Sequence, residues 1–270
     1  MYVTNSRSPV PDIPIESIQE FYSAIIEYYD ELFPLEEKTI QFLSDIWEEQ
    51  KNSMEIDFAP MCRYLGIGCA TGNLENRLVS EGWDVTGIDK NKTMIDTAKR
   101  RMKRGFSCIR FYEMSTIDMR HFLKKESFNI ISCVDDMLPY IADEILLRKF
   151  FHDTYELLTQ NGKLVIQCLN TEQYEPGKPI VQPERSSVRV TLSRTWISAE
   201  EGRYVLDATL EHGNGKRFVL RKNTYLLPAT PSRIKVMAQE AGFTGFETYA
   251  DYDKADFTGE SENFVMVITK

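Results

Sequence analysis

The sequence predicts an α/β protein built on a mostly parallel sheet with helices on both faces, and three observations carry that expectation. Apolar strand-like runs alternate with segments of helical periodicity from about residue 61 to residue 169, a pattern that calls for right-handed crossovers between parallel strands. One such run, Tyr64-Leu65-Gly66-Ile67, passes into the glycine-rich turn Gly68-Cys69-Ala70-Thr71-Gly72 and then into a helix start at Asn73-Leu74. The next run, Trp83-Asp84-Val85-Thr86-Gly87-Ile88, ends in Asp89. The turn and the acid then meet at the carboxyl edge of the sheet, where ligands bind in such folds.

In chain order, residues 1–14 read as a loose tail, with Pro9, Pro11 and Pro14 as breakers. Residues 17–33 place Ile18, Phe21, Tyr22, Ile25, Ile26, Tyr29 and Leu32 at helical spacing, and a second helix is expected over 35–50. Strands are expected at 61–67, 83–88, 107–112, 128–134 and 163–169, and helices at 72–81, 91–104 and 143–159. The texture then changes. Residues 187–198, 203–212 and 216–226 alternate polar and apolar side chains, and His212-Gly213-Asn214-Gly215 supplies a hairpin turn. Three antiparallel strands exposed on one face follow from this pattern. Their apolar sides (Val188, Val190, Leu192; Tyr204, Leu206, Ala208, Leu210) must cover a substrate pocket, the main sheet or a second subunit, which leaves a homodimer open. A helix from Pro231 to Ala241 leads into a final strand pair. The chain divides into an N-terminal tail and lid helices (1–56), a core (57–170 and 228–270) and an antiparallel β insert (171–227).

Composition narrows the function classes. The 270 residues are 42% hydrophobic, enough for a substantial core. A formal net charge of −9 argues against a nucleic-acid backbone as the main partner. The small basic cluster Arg100, Arg101, Lys103 and Arg104 falls at the end of an expected helix, where cations suit the dipole. The five cysteines (Cys62, Cys69, Cys108, Cys133, Cys168) form no C-x-x-C pair, so zinc and dithiol redox chemistry are not expected, and a reducing cytoplasm is. No apolar leader core appears at the N-terminus, and no run approaches the ~20 residues of a membrane span. His121, His152 and His212 read as structural, and no spacing suggests a metal.

The glycine turn has a chemical reading of its own. Gly68 and Gly72 let the backbone turn tightly and approach a ligand with no Cβ in the way. The helix that follows offers unpaired N–H groups. Asp89, 21 residues after Gly68, can accept both hydroxyls of a ribose. Gly66-x-Gly68-x-x-x-Gly72 is also a spacing of dinucleotide-binding folds, although their commoner fingerprint wants Gly or Ala where this chain has Thr71.

The downstream segments discriminate. Leu65-Gly66-Ile67-Gly68-Cys69-Ala70-Thr71-Gly72 resembles motif I of the S-adenosylmethionine-dependent methyltransferases with the Rossmann-like fold. Val85-Thr86-Gly87-Ile88-Asp89-Lys90-Asn91-Lys92-Thr93-Met94-Ile95 is similar to that family's segment V-x-G-x-D-x-S-x-x-M-I. Asp118-Met119-Arg120 resembles its adenine-side D-M segment, and Phe128-Asn129-Ile130-Ile131-Ser132-Cys133 its fourth strand. Residues 157–166 are similar to its L-L-x-x-G-G-x-L-V-I run, and Ala241-Gly242-Phe243 and Asn263-Phe264-Val265-Met266-Val267-Ile268 resemble its last two strands. The resemblance runs from about Tyr22 to the C-terminus, apart from the insert. Two departures stand out: the family usually has an acid where this chain has Gly66, and a glycine where it has Ala70.

The resemblance implies a seven-stranded Rossmann-like sheet, S-adenosylmethionine as cofactor and a small-molecule acceptor methylated on N or O, with a slight lean to an amine. It implies cofactor contacts from Tyr29, Gly66, Gly68, Cys69, Ala70, Gly72, Asp89, Lys90, Asp118, Met119, Val134 and Asp135. Tyr29 reads equally as a cofactor cover and as core. Glu113 and Met114 offer an alternative register for the adenine. Asp135 and Tyr140 are the candidates for proton transfer, with Asp135 equally a helix cap and Asp136 mainly one. A nicotinamide-dependent oxidoreductase and a non-catalytic nucleoside binder remain as alternatives. The N-terminal helix is expected to close the cofactor side, and the insert to wall the acceptor side.

Overall fold

The computed structural model describes residues 12–53, 60–102, 108–221 and 223–270. Its elements run in the order β1 (Ile13–Ile15), α1 (Ile18–Ala24), α2 (Tyr29–Leu32), α3 (Glu37–Asn52), β2 (Arg63–Ile67), α4 (Asn73–Ser80), β3 (Asp84–Asp89) and α5 (Lys92–Arg101). There follow β4 (Ile109–Glu113), α6 (Met119–Phe122), β5 (Phe128–Cys133), α7 (Glu144–Leu157) and β6 (Leu158–Leu169). The insert supplies β7 (Ile180–Val181), β8 (Arg185–Ser186), β9 (Val190–Ser198), β10 (Tyr204–His212), β11 (Arg217–Leu220) and β12 (Thr224–Leu226). The chain closes with α8 (Pro231–Ala241), β13 (Gly245–Tyr249) and β14 (Asn263–Thr269).

The core sheet has seven strands in the order β13-β14-β6-β5-β2-β3-β4. All are parallel except β14, which runs antiparallel to both neighbours. Fully buried strands such as β5, with all six residues inside, read as unbroken apolar runs because both faces are covered. On one face Leu147, Phe150 and Phe151 of α7 and Ile234 and Met237 of α8 share a core with Ile131, Leu164 and Ile166. On the other, Phe42, Leu43 and Trp47 of α3 and Leu78 of α4 pack with Tyr64, Val85 and Ile130. The strand order reverses beside β2, so the β2–α4 turn lies at the switch point that binds ligands in open α/β sheets.

The N-terminal region departs from expectation. The single helix expected over 17–33 is two short helices, because residues 25–29 turn by three-residue hydrogen bonds, Ile26 N–H to Ser23 and Tyr28 N–H to Ile25. Nor is the tail loose throughout: Ile13–Ile15 is an edge strand parallel to β11, a position that tolerates Pro14.

The insert's three antiparallel runs are present, the third divided into β11 and β12, which pair with opposite ends of β10. Its apolar face packs mainly on an element not named from the sequence, the N-terminal helices, and also reaches Leu169 of the main sheet and the cavity-lining Tyr22, Tyr29 and Tyr140. Val190, Leu192, Trp196, Leu206 and Leu210 form a core with Ile18, Phe21, Ile25 and Leu32 of the N-terminal helices. Val188, expected on that face, is wholly exposed. Asp12 pairs with Arg217 and Arg221, and Arg189 with Glu31, so the insert and the N-terminal segment form one cap. Among the described residues, no helix is long and apolar enough to cross a membrane.

Candidate active site at the switch point

The β2–α4 turn is tied to the end of β3. The Gly68 and Cys69 N–H groups donate to the Ile88 carbonyl at 2.9 and 3.0 Å. The Asp89 carboxylate accepts from the Asn91 N–H at 2.7 Å and the Ala70 N–H at 3.1 Å. Ala70 is left-handed, φ 46°, a conformation that costs an L-residue roughly 1–2 kcal/mol and that the Asp89 bond helps to hold. Gly68 is left-handed as well, and a Cβ there would meet Met137 Cγ at 2.5 Å, so both conformation and space require glycine. Burial raises the Asp89 pKa, opposed by the N–H groups of Asn91 and Ala70 and by Lys90.

Three cavities adjoin this turn, and a fourth meets the first two at Asp135. The first runs beside β2 and α4 and is lined by Tyr29, Gly66, Gly68, Cys69, Ala70, Glu75, Ser132, Val134, Asp135 and Arg185, among others. The second lies against α1, between Tyr22, Tyr29, Gly68, Ala70, Asp89, Lys90, Val134, Asp135 and Tyr140. The third continues past Asp89 and Lys90 to Met114, Ser115, Thr116 and Ile117, with Tyr140 again on its wall. The fourth is bounded by Phe33, Asp135, Asp136, Gln167, Arg185 and Arg194. Asp135 borders the first, second and fourth.

Three of the expected contact residues line none of these cavities. Gly72 caps α4, and its bare Cα backs onto the Phe111 ring and Ala98; its glycine is a packing requirement. Asp118 is exposed and Met119 is buried in the core. The chain leaving β4 bonds Met114 N–H to the Asp89 carbonyl at 2.9 Å, which turns Met114–Ile117 toward the cavity, after which α6 folds inward. Of the alternative pair, Met114 lines the third cavity and Glu113 is exposed.

The segment after β5 is strained at two successive residues, Asp135 at φ 55° and Asp136 at φ 57°. Neither side chain caps the short helical turn that follows. The Asp135 N–H donates to Gln167 Oε1 at 2.8 Å, and the Asp136 carboxylate accepts the Leu169 N–H at 2.6 Å. Asp136 is thereby engaged in fixing β6. The Asp135 side chain opens onto the cavities, and the protein packed around it raises its pKa by desolvation, with Arg185 pulling the other way. Tyr140 shares a 3.0 Å hydroxyl–hydroxyl bond with Tyr22, and burial keeps its pKa well above the ordinary phenol value.

Sequence reading passed over three charged residues here. Arg194 stands between Leu192 and Trp196 on the inward face of β9, so a cation interrupting the apolar alternation was the available signal. Glu75 sits three and four residues before the buried Leu78 and Val79, an acid on the inward stripe of α4. Arg185 opens the two-residue strand β8, too short to leave a signal in the sequence.

Comparison with known proteins agrees with this architecture. Residues 65–162 match the family described as a methyltransferase domain. A protein of Geobacillus sp. (strain WCH70) named as a methyltransferase is 29% identical over 247 residues, covering 84% of this chain and 92% of that protein. Among solved structures, an S-adenosylmethionine-dependent methyltransferase from Clostridium acetobutylicum ATCC 824 is similar with a TM-score of 0.72 and 16% identity, over 92% of this chain and 98% of that one. An S-adenosylmethionine-bound amino pentose methyltransferase from Micromonospora echinaspora gives 0.62 and 16%, over 91% and 96%. At such identities the structural likeness speaks to the fold. Residues 65–162 thus match a methyltransferase domain, a related methyltransferase aligns along most of the chain, and the fold is the Rossmann-like one of the S-adenosylmethionine-dependent methyltransferases.

Proposed function

We propose that the enzyme methylates an N or O atom of a small molecule, an amine by preference, in the cytoplasm. The observation that carries this reading is the position of Asp135, which borders both cavities of the glycine cradle and the outer cavity held by Gln167, Arg185 and Arg194. An acceptor in the outer cavity is enclosed by the N-terminal segment, the insert and the core together, a setting that suits a compact molecule rather than a polymer. Glu36, Asp135, Asp136 and Asp251 line it opposite Lys38, Arg185 and Arg194, a mixed set that suits a polar acceptor, with Asp135 placed to meet a basic nitrogen. The amino pentose acted on by the Micromonospora neighbour is an acceptor of this chemistry.

The residues fit the cofactor. The cradle at Gly68 leaves room that a Cβ would fill, and Asp89 stands at the tip of the second strand to take ribose hydroxyls. Lys90 flanks that acid, Met114–Ile117 wall the adenine, and Gly66, Cys69, Ala70 and Val134 shape the rest, with Tyr22 and Tyr29 as cover. The cofactor supplies a methyl group already activated on a sulfonium, so the protein's task is to align the acceptor and exclude water. Asp135 takes the proton that the acceptor sheds. Tyr140 stays protonated and, fixed by Tyr22, walls the cofactor side of the site in the second and third cavities.

The test is transfer of a labelled methyl group to a panel of amino sugars, alkyl amines, phenols, bulk RNA and bulk protein. Label in a small amine or hydroxyl compound, reduced in Asp135→Asn, is the expected result. Label only in RNA or protein would refute the proposal.

A further inference from the structure

We propose that Glu75 binds the ammonium group of the cofactor's methionine end, delivering from α4 the carboxylate that the motif this chain resembles usually carries at the position of Gly66. This rests on the cofactor assignment above.

Gly66 is buried within β2, and the space beside its Cα is occupied by Glu75: a Cβ there would collide with Oε1 and lie 3.1 Å from Cδ. The acid missing from the strand is thus replaced, in the same spot, by one reaching across from the helix. Glu75 is only 2% exposed, yet it borders the first cavity with Gly66, Ser132 and Asp135. Its Oε2 is buried and has no hydrogen-bond partner. Buried carboxylate oxygens are rarely left in that state unless a partner arrives from elsewhere.

The charge inventory of the cavity points to the same ligand. Its walls carry three acids, Glu36, Glu75 and Asp135, and one cation, Arg185. The methionine end of the cofactor carries two positive groups, ammonium and sulfonium, and one negative carboxylate. Burial raises the Glu75 carboxyl to about 8, with Asp89 and Asp135 adding to the rise against the helix's own N–H. A bound ammonium supplies the counter-charge that the cavity lacks beside this carboxylate.

The experiment is calorimetric binding of S-adenosylhomocysteine, which keeps the ammonium, and of 5′-methylthioadenosine, which lacks the whole amino-acid end. Wild type, Glu75→Gln, Glu75→Ala and the swapped variant Gly66→Asp with Glu75→Ala are compared, each verified as folded by thermal melting. Glu75→Gln is expected to weaken S-adenosylhomocysteine by about tenfold or more, the loss of one charged hydrogen bond, and to leave 5′-methylthioadenosine within about twofold. Gly66→Asp is expected to restore much of the S-adenosylhomocysteine affinity lost in Glu75→Ala. Unchanged S-adenosylhomocysteine binding in Glu75→Gln, equal weakening of both ligands, or a swapped variant no better than Glu75→Ala would each overturn the proposal. Wild type that binds neither ligand would remove the cofactor assignment itself, and this inference with it.

Discussion

Replacing Glu75 by Gln should change how the free enzyme's stability depends on pH. The folded Glu75 carboxyl is raised from 4.5 to about 8, first by burial and then by Asp89 and Asp135. Between those values the native state holds a proton that the unfolded chain has lost, so stability falls as pH rises through the window. At roughly 1.36 kcal/mol per unit, the full rise is worth on the order of 5 kcal/mol, as an upper bound. Gln mimics the protonated acid and does not titrate. Wild type and Glu75→Gln should therefore show similar urea midpoints near pH 4.5. They should diverge progressively toward pH 8, with the Gln variant more stable by several kcal/mol. Asp89, Asp135 and Asp136 also have raised pKa values from burial; they remain in both proteins, so the difference reports Glu75 together with its coupling to Asp89 and Asp135. Parallel stability curves across this range would show that the carboxyl is not held protonated in the native state.

Asp89→Ala removes the acceptor for the Asn91 and Ala70 N–H groups; a loss of about 2 kcal/mol or more in urea unfolding and at least about tenfold weaker cofactor binding by calorimetry are expected, and unchanged affinity in folded protein would sink the ribose assignment. Gly68→Val drives a branched side chain into Met137 at a left-handed position and should abolish cofactor binding in an equilibrium titration, with a melting temperature that still reports a folded chain. Arg194→Met keeps most of the apolar stem but removes the inward cation of β9; it should raise the acceptor KM by about tenfold or more, with cofactor affinity changed by less than about threefold.

The core was legible because most of its strands and helices, the short α6 apart, advertise themselves locally. The run from Arg63 to Ile67, the turn at Gly68 and the acid at Asp89 carry their meaning within a few dozen residues, and the structure brings them together at the switch point. What stayed hidden depends on distant partners. Ile13–Ile15 is a strand only because β11 lies beside it, some two hundred residues later. Residues 17–33 have a helix's periodicity, but the turn at residues 25–29 serves packing against Leu192 and Leu210 of the insert. Glu75 and Arg194 were hidden differently: an isolated charge on an apolar stripe is visible in the sequence, but whether it meets a cavity or a neighbouring backbone is decided by the fold.

The cap joins the first described residues of the chain to segments synthesised much later, and this orders events during translation. Phe21 and Ile25 leave the ribosome long before Leu192, Leu206 and Leu210, the residues that bury them. The N-terminal helices, seven and four residues long, are too short to hold together alone. Folding thus proceeds with their apolar face bare until β9 to β11 emerge, a period in which a nascent chain is open to chaperones and to aggregation. The Rossmann-like core can gather its central strands in the meantime, but the walls contributed by Tyr22, Tyr29, Arg185 and Arg194 must wait for the insert to emerge. A nascent chain arrested before β9 should show an ordered central sheet with residues 12–33 unprotected from proteolysis, and competence to retain the cofactor should arrive only once the insert strands are released.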